Sequence, residues 1–248
     1  MTFVDQTVAW LTNPINWDGP NGIPTRLLEH LSLSAAALLV AGALALPAGL
    51  AIGHARRGAG PVVGLATVGR AIPSFALMGL ILPITQAVDP ENGFTIYPTL
   101  LAMAVLAVPP ILVNTMTGVS EVDRDLVEAG RGMGFTEGGL LRRVEIPLAL
   151  PVILGGLRSA TVQVIATATL GAILAGGGLG RFIIDGIAQN DDGQLFGGVV
   201  LVAGLALLGE GSLALLQRLA GRRPRRTDAD PAFGDLGEAP RPATAPGG

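Results

Sequence analysis

The side chains that could do acid–base or electrostatic chemistry in this chain are few, and most of them stand in one segment. Residues 128–151, EAGRGMGFTEGGLLRRVEIPLALP, contain three Arg and three Glu, whereas only 14% of the 248 residues are charged. Three more ionisable residues, Arg70, Arg158 and Glu210, stand inside long apolar runs. Because charges are costly there, we predict that Glu210 pairs with Arg158 or Arg70 to steady helix packing, with a gate or substrate contact as the alternative.

Missing residue types exclude several kinds of chemistry. The chain has no Cys, which rules out disulfides, thiolate metal sites and a Cys nucleophile. All sixteen cationic side chains are Arg, and a P-loop needs Lys to reach the phosphates of ATP. His30 and His54 have no neighbouring set of metal ligands. We therefore expect no catalytic residue, no metal and no cofactor on this chain. The competing class is an intramembrane enzyme, which would need converging acids or a Ser–Lys set.

The composition indicates a membrane protein, since half of the residues are hydrophobic and the mean hydropathy is +0.56. A helix of roughly 20 apolar residues crosses a bilayer core that is about 30 Å thick. Five runs satisfy this length, at about 31–53, 61–88, 94–119, 147–174 and 194–217. The predicted fold is an all-α integral membrane domain over residues 26–217.

Two further segments flank that domain. Residues 1–25 are broken by prolines and contain Trp10 and Trp17, which favours a short interfacial segment on the outer side. Residues 218–248 change from an Arg cluster to an acidic Pro/Gly/Ala mixture, which is typical of a disordered tail.

Prolines predict breaks in the second and third runs. Pro73 is expected to separate a short helix from the span that follows, and Pro109 with Pro110 is expected to kink the third span. Small or polar residues at helix breaks could line a path through the membrane, although packing is their commoner role. The candidates are Pro73, Ser74, Asn114 and Thr115.

The distribution of Arg predicts the orientation of the spans. Arg is concentrated after spans one, three and five, whereas the other connections carry only Arg26 and Arg181. Under the positive-inside rule, the N-terminus lies outside and the C-terminus lies in the cytoplasm. Residues 128–147 then belong to the largest cytoplasmic loop.

This loop has the sequence of two short helices around a bend. Residues 125–133 can form one helix, Gly132 and Gly134 allow a reversal, and Thr136 can cap a second helix before Pro147 resets the backbone. Such a unit would be a rigid knob for the groove of a partner. A solvated connector is the alternative that composition alone favours.

The same residues resemble the signature of the membrane subunits of bacterial ABC importers, E-A-A, three residues, G, nine residues, I-x-L-P. Glu128, Ala129 and Gly130 match its opening with Gly for the last Ala, Gly134 matches its glycine, and 144–147 match its end. The resemblance implies the type I importer permease fold with a cytoplasmic coupling-helix loop. The implied ATPase-coupling residues are Glu128, Ala129, Gly130, Arg131, Gly132, Gly134, Val144, Ile146 and Pro147.

A narrower resemblance is to the osmoprotectant group, whose members carry glycine betaine, carnitine, choline or proline betaine. It rests on RAIPSFALMGLILPI at 70–84, PPILVNTMTGV at 109–119, the 128–158 segment and ATLGAILAGGGLGRFIIDGI at 168–187. Since quaternary ammonium groups are usually bound in aromatic cages, and aromatic residues are scattered here, we expect selection by a binding protein. The alternatives are an importer for another small solute and a non-transporting membrane scaffold.

The resemblance also implies the partners and the compartment. Two cytoplasmic ATPase subunits would hold ATP-Mg, an extracytoplasmic binding protein would deliver the solute, and a second copy or a sister permease would complete the pathway. The glycine run at 176–180 is expected to face the binding protein. The expected location is the bacterial cytoplasmic membrane, with no nucleic-acid partner.

Overall fold

The computed structural model describes residues 2–221 except 59, 65, 67–71, 92, 95 and 175, and this part of the chain is almost entirely helical. Three shorter turns interrupt or extend the α-helices: a 3-10 turn at Pro14–Trp17, a π turn at Leu141–Glu145 and a 3-10 turn at Thr169–Leu174. The helices are α1 (Phe3–Thr12), α2 (Ile23–Ala55), α3 (Ser74–Val88), α4 (Ile96–Ser120), α5 (Arg124–Gly132), α6 (Glu137–Leu140), α7 (Ile146–Ala168), α8 (Gly180–Gln189) and α9 (Asp192–Ala220).

Four helical runs in the described part of the chain are long and apolar enough to cross a membrane, which confirms the predicted fold class. These runs are Ile23–Ala55, Ile96–Ser120, Glu137–Leu174 and Asp192–Ala220. The predicted second span corresponds to the shorter α3, which begins directly after Pro73 and has 15 residues. Arg70, and the predicted tail from residue 222 onward, lie outside the described residues.

Prolines do not end the helices that contain them. Pro109 and Pro110 lie within α4, whose helical run continues to Ser120. The kink expected at this pair would therefore lie inside one continuous helix. Asn114 Nδ2 donates a hydrogen bond to Pro110 O at 2.8 Å, so a polar side chain adds to the local bonding.

The core lies where α2, α4 and α7 meet, and small residues make their contact close. Leu33, Ala37, Ala41 and Ala45 stand four apart on α2 and are buried against Met103, Ala107 and Ile111 of α4 and Ala160, Val164 and Ala168 of α7. A spacing of four keeps them on one helix face. Between membrane helices such small residues favour dispersion contacts, because lipid supplies no hydrophobic driving force.

Gly53 continues this face and provides a direct test of the packing. A Cβ at Gly53 would lie 2.7 Å from Met116 O and 2.8 Å from Val119 Cβ. We expect Gly53→Ala to lower stability by about 1–3 kcal/mol through overpacking. Gly42→Ala is the matched control, because the atom nearest to its new Cβ is Leu46 Cδ1, at 3.9 Å. Thermal unfolding in detergent measures both, and equal midpoints for the two variants would contradict the close approach.

Short helices lie at both ends of the bundle. The end that carries residues 121–147 is called the loop end, and α2 and α9 finish there. At the opposite end, α1 packs against α9, with the ring of Trp10 5.0 Å from that of Phe182 and in contact with Gly197. The predicted interfacial segment 1–25 is thus largely helical and docked on the bundle.

Candidate functional site

The bend at the loop end is a helix C-cap that requires glycine. Helix α5 ends in a Schellman arrangement in which Phe135 N donates to Gly130 O at 3.1 Å and Gly134 N donates to Arg131 O at 2.9 Å. Gly134 has φ +85°, in the left-handed region that residues with a Cβ avoid. The glycine of the signature is therefore required by backbone conformation.

Side-chain caps begin both helices of the loop. Asp123 Oδ1 accepts from Asp125 N at 2.9 Å at the start of α5, and Thr136 Oγ1 accepts from Gly139 N at 3.2 Å at the start of α6. The predicted helix, bend and second helix agree with this arrangement. Each cap satisfies an amide that has no partner inside its helix.

The expectation that Pro147 resets the backbone is wrong. Helix α6 continues through the π turn Leu141–Glu145 into α7, so the second half of the loop is an extension of the membrane span. The wider turn directly precedes Pro147, which cannot donate to the carbonyl four residues back. A displacement of the bend can consequently be passed along one continuous helix.

An apolar cluster joins the two arms of the loop. Val127 from α5 and Leu140 from α6 are buried with Val122, and Phe135, Val144 and Leu148 pack against them. A Cβ at Gly130 would lie 2.5 Å from Leu140 Cδ2. A methyl group at this position would therefore displace the end of the Leu140 side chain, whereas glycine lets the two arms approach without repacking.

Ion pairs and hydrogen bonds between charged side chains stabilise the bend and connect it to α2. Arg131 Nε and Nη2 donate to the two oxygens of Glu137 at 2.9 and 3.0 Å. His54, at the end of α2, has Nε2 3.2 Å from Glu137 Oε2 and Nδ1 2.5 Å from Glu145 Oε2.

Sequence reasoning missed His54, Glu137 and Glu145 as members of this site. His54 stands 83 residues before Glu137 in the chain, and no local pattern links them. The available signal was indirect: Glu145 stands next to the apolar start of a span, where an unpaired charge is costly.

The loop borders a cavity of about 260 Å³ at the loop end. Its walls include Glu128 and Arg131, two of the residues that the signature assigns to coupling. The full lining is His54, Ala55, Arg56, Arg124, Val127, Glu128, Arg131 and Glu145. Such a recess, with charges of both signs, can receive a protruding side chain of another protein.

The structure brings two of the three predicted intramembrane charges together. Arg158 Nε lies 3.2 Å from Glu210 Oε1, and Arg158 Nη1 donates to Gln217 Oε1 at 3.0 Å. Gln217 Nε2 donates in turn to Pro151 O at 2.8 Å. The sequence did not single out Gln217, and Arg70 lies outside the described residues.

The four candidates for a pathway stand at two places that differ in exposure. Pro73 and Ser74 lie at the exposed start of α3. On α4, Asn114 is half-buried, but Thr115 has no exposed surface and packs against Gly49 of α2. In this conformation Thr115 contributes to helix packing and not to the lining of a path.

At the opposite end, the glycine run is tied to the start of α2. Glu29 Oε2 accepts from Gly178 N at 2.7 Å and from Arg26 Nη1 at 2.9 Å. Gly178 has φ +83°, so the tight approach again depends on glycine. The run that was expected to face a binding protein is thus held by a charged side chain.

Comparisons with known proteins identify the family of this chain. Residues 43–226 match the family described as "Binding-protein-dependent transport system inner membrane component". The chain is 36% identical over 190 residues to the glycine betaine/carnitine/choline transport system permease protein OpuCB of Bacillus subtilis (strain 168), covering 77% of this chain and 84% of the relative. It is 36% identical over 200 residues to the osmoprotectant import permease protein OsmW of Salmonella typhimurium, covering 81% and 92%.

Solved structures show the same fold. An inward-facing crystal form of the MetNI methionine ABC transporter contains a chain that superposes with a TM-score of 0.71 at 22% identity. The superposition covers 85% of this chain and all of that chain. At this identity the likeness concerns the fold.

Proposed function

This chain belongs to the family of binding-protein-dependent transport system inner membrane components, the permease subunits of ABC importers, and we propose that it carries quaternary-ammonium osmoprotectants. The observation that carries the substrate proposal is its 30–37% identity to permeases named for glycine betaine, choline and carnitine. The structural neighbour is named for methionine, but it shares only the fold.

The energy for transport comes from a partner in this proposal. A permease subunit is not itself catalytic, and ABC importers in general work with an ATPase and a substrate-binding protein. We place the ATPase contact at the loop end, where Glu128 and Arg131 border the cavity and Gly134 forms the bend. Closure of two ATPase subunits around ATP-Mg would displace this loop and, through the continuous α6–α7 helix, rock the spans.

The orientation and the assembly follow from the same proposal. The Arg-rich connections at the loop end favour a cytoplasmic position for it, with the N-terminus outside. The binding protein would then approach the opposite end, near Gly178. A second copy of this chain or a sister permease would supply the other half of the pathway.

Uptake in the native bacterium tests the substrate. We expect deletion of this chain to abolish most uptake of labelled glycine betaine, choline or carnitine at high osmolarity, and re-expression to restore it. Methionine is the control solute, whose uptake should not change. Loss of methionine uptake alone would support an importer for another small solute, and unchanged uptake of all four would overturn the osmoprotectant proposal.

A further inference from the structure

The end of α2 is attached to the loop by one imidazole between two carboxylates. His54 lies in the last turn of α2, one residue before its end at Ala55. Its two ring nitrogens face different acids, Nδ1 facing Glu145 at 2.5 Å and Nε2 facing Glu137 at 3.2 Å. Glu145 is only 1% exposed, so this contact is shielded from solvent screening.

The π turn is what allows one imidazole to reach both acids. Eight positions of a regular α-helix would rotate Glu145 by about 80° away from Glu137. The π turn Leu141–Glu145 takes up one extra residue without adding the rotation about the helix axis that a residue normally adds. The angle between Glu137 and Glu145 around the axis is therefore reduced to about 20°. Both carboxylates consequently face α2.

The resulting chain of contacts includes both arms of the bend and the first span. It runs from Arg131 on α5 to Glu137 on α6, then to His54 on α2 and to Glu145 in the π turn. A separate contact reinforces the same junction, since Arg56 Nη2 donates to Val122 O at 2.6 Å. The end of α2 is therefore fixed to the loop at two points.

We propose that His54 is a positioning residue that makes the loop and the end of α2 move as one body when a partner displaces the loop. This inference rests on the proposed function for the source of the displacement. The continuous helix passes the displacement to α7, and the His54 junction passes it to α2 as well. Helices α2, α4 and α7 pack together in one core. If the displacement reached α7 alone, α7 would slide against α2, so both connections are needed to move the close-packed core as a unit.

Transport by the complete importer tests the junction. We expect His54→Ala to lower the amount of solute taken up per ATP hydrolysed by about tenfold, a usual size for coupling between sites. This ratio is measured per ATP, so it is independent of how much ATPase co-purifies with the variant. Arg57→Ala is the matched control, because it removes an exposed cation at the same helix end and should retain the wild-type ratio.

The double variant separates a junction from simple destabilisation. If His54 and Glu145 act through each other, His54→Ala combined with Glu145→Ala should lower the uptake ratio no further than His54→Ala alone. Additive losses, or a wild-type ratio in His54→Ala, would overturn the proposal. The thermal unfolding midpoints of all variants show whether a lower uptake per ATP is accompanied by lower stability of the folded protein.

A distance measurement tests the junction even where transport fails. The chain has no Cys, so Arg57→Cys and Arg142→Cys place spin labels at two exposed positions, two residues beyond the end of α2 and in the π turn. In the purified permease we expect a narrow distribution of distances between the two labels, and a broader distribution when His54→Ala is added. An equally narrow distance in both would refute the attachment, whereas a narrow wild-type distance without ATP-driven uptake would refute only the proposed function.

Discussion

Replacing Glu210 with alanine is expected to cause a large loss of folded protein from the membrane. Arg158 would keep Gln217 as a partner but lose its counter-charge, and an arginine cannot become neutral by releasing a proton. Both side chains are partly exposed, and a lone arginine in the middle of a membrane span costs about 2.5–3.5 kcal/mol, which is the loss that we expect here. The measurement is the amount of membrane-inserted protein and its unfolding midpoint.

The reverse change should be milder, which makes the prediction specific. In Arg158→Ala the remaining Glu210 can take up a proton and become neutral, so the penalty is smaller. The exchange of both charges, Arg158→Glu with Glu210→Arg, should recover much of the protein lost in Glu210→Ala. Equal losses in both single variants, without recovery in the exchange, would indicate that the pair does not steady α7 against α9.

Substitution of Gly134 by valine is expected to weaken coupling to the ATPase strongly, while the protein still inserts into the membrane. The cost comes from the backbone, because Gly134 has φ +85° and a Cβ there would meet no atom within 4 Å. A residue with a Cβ loses about 1–2 kcal/mol in this region, and a β-branched residue loses more. We expect solute uptake to fall about tenfold or more, within the usual range for coupling between sites.

The nature of the substituent provides the control for this prediction. Asn tolerates the left-handed region, so Gly134→Asn should retain more uptake than Gly134→Ala, and Gly134→Ala more than Gly134→Val. Gly138→Ala adds a Cβ in similarly open space without a positive φ and should behave as wild type. If Gly134→Val transported normally, the bend would have no role in coupling.

The predicted parts of the site were those that depend on local chain properties. The Thr136 cap, the reversal at Gly134 and the helix before it follow from neighbouring residues, because caps and tight turns are made within a few positions. The pairing of Glu210 with an arginine was also predictable, since charges at similar depths in apolar spans have few other partners, but depth alone left Arg158 and Arg70 as alternatives. Gln217 could not be predicted, because its contact depends on how α9 is rotated against α7.

The amino-acid sequence by itself determined that this chain is a helical membrane protein, that it lacks the residues for a P-loop, and that residues 128–147 form a bend with a coupling signature. Composition, run length and short-range spacing decide these properties, and none of them requires a distant contact. Only the tertiary structure decided that α6 and α7 form one helix and that His54 joins Glu137 to Glu145. The physical reason is that a π turn sets the phase of the helix and that helix packing brings together residues far apart in the chain.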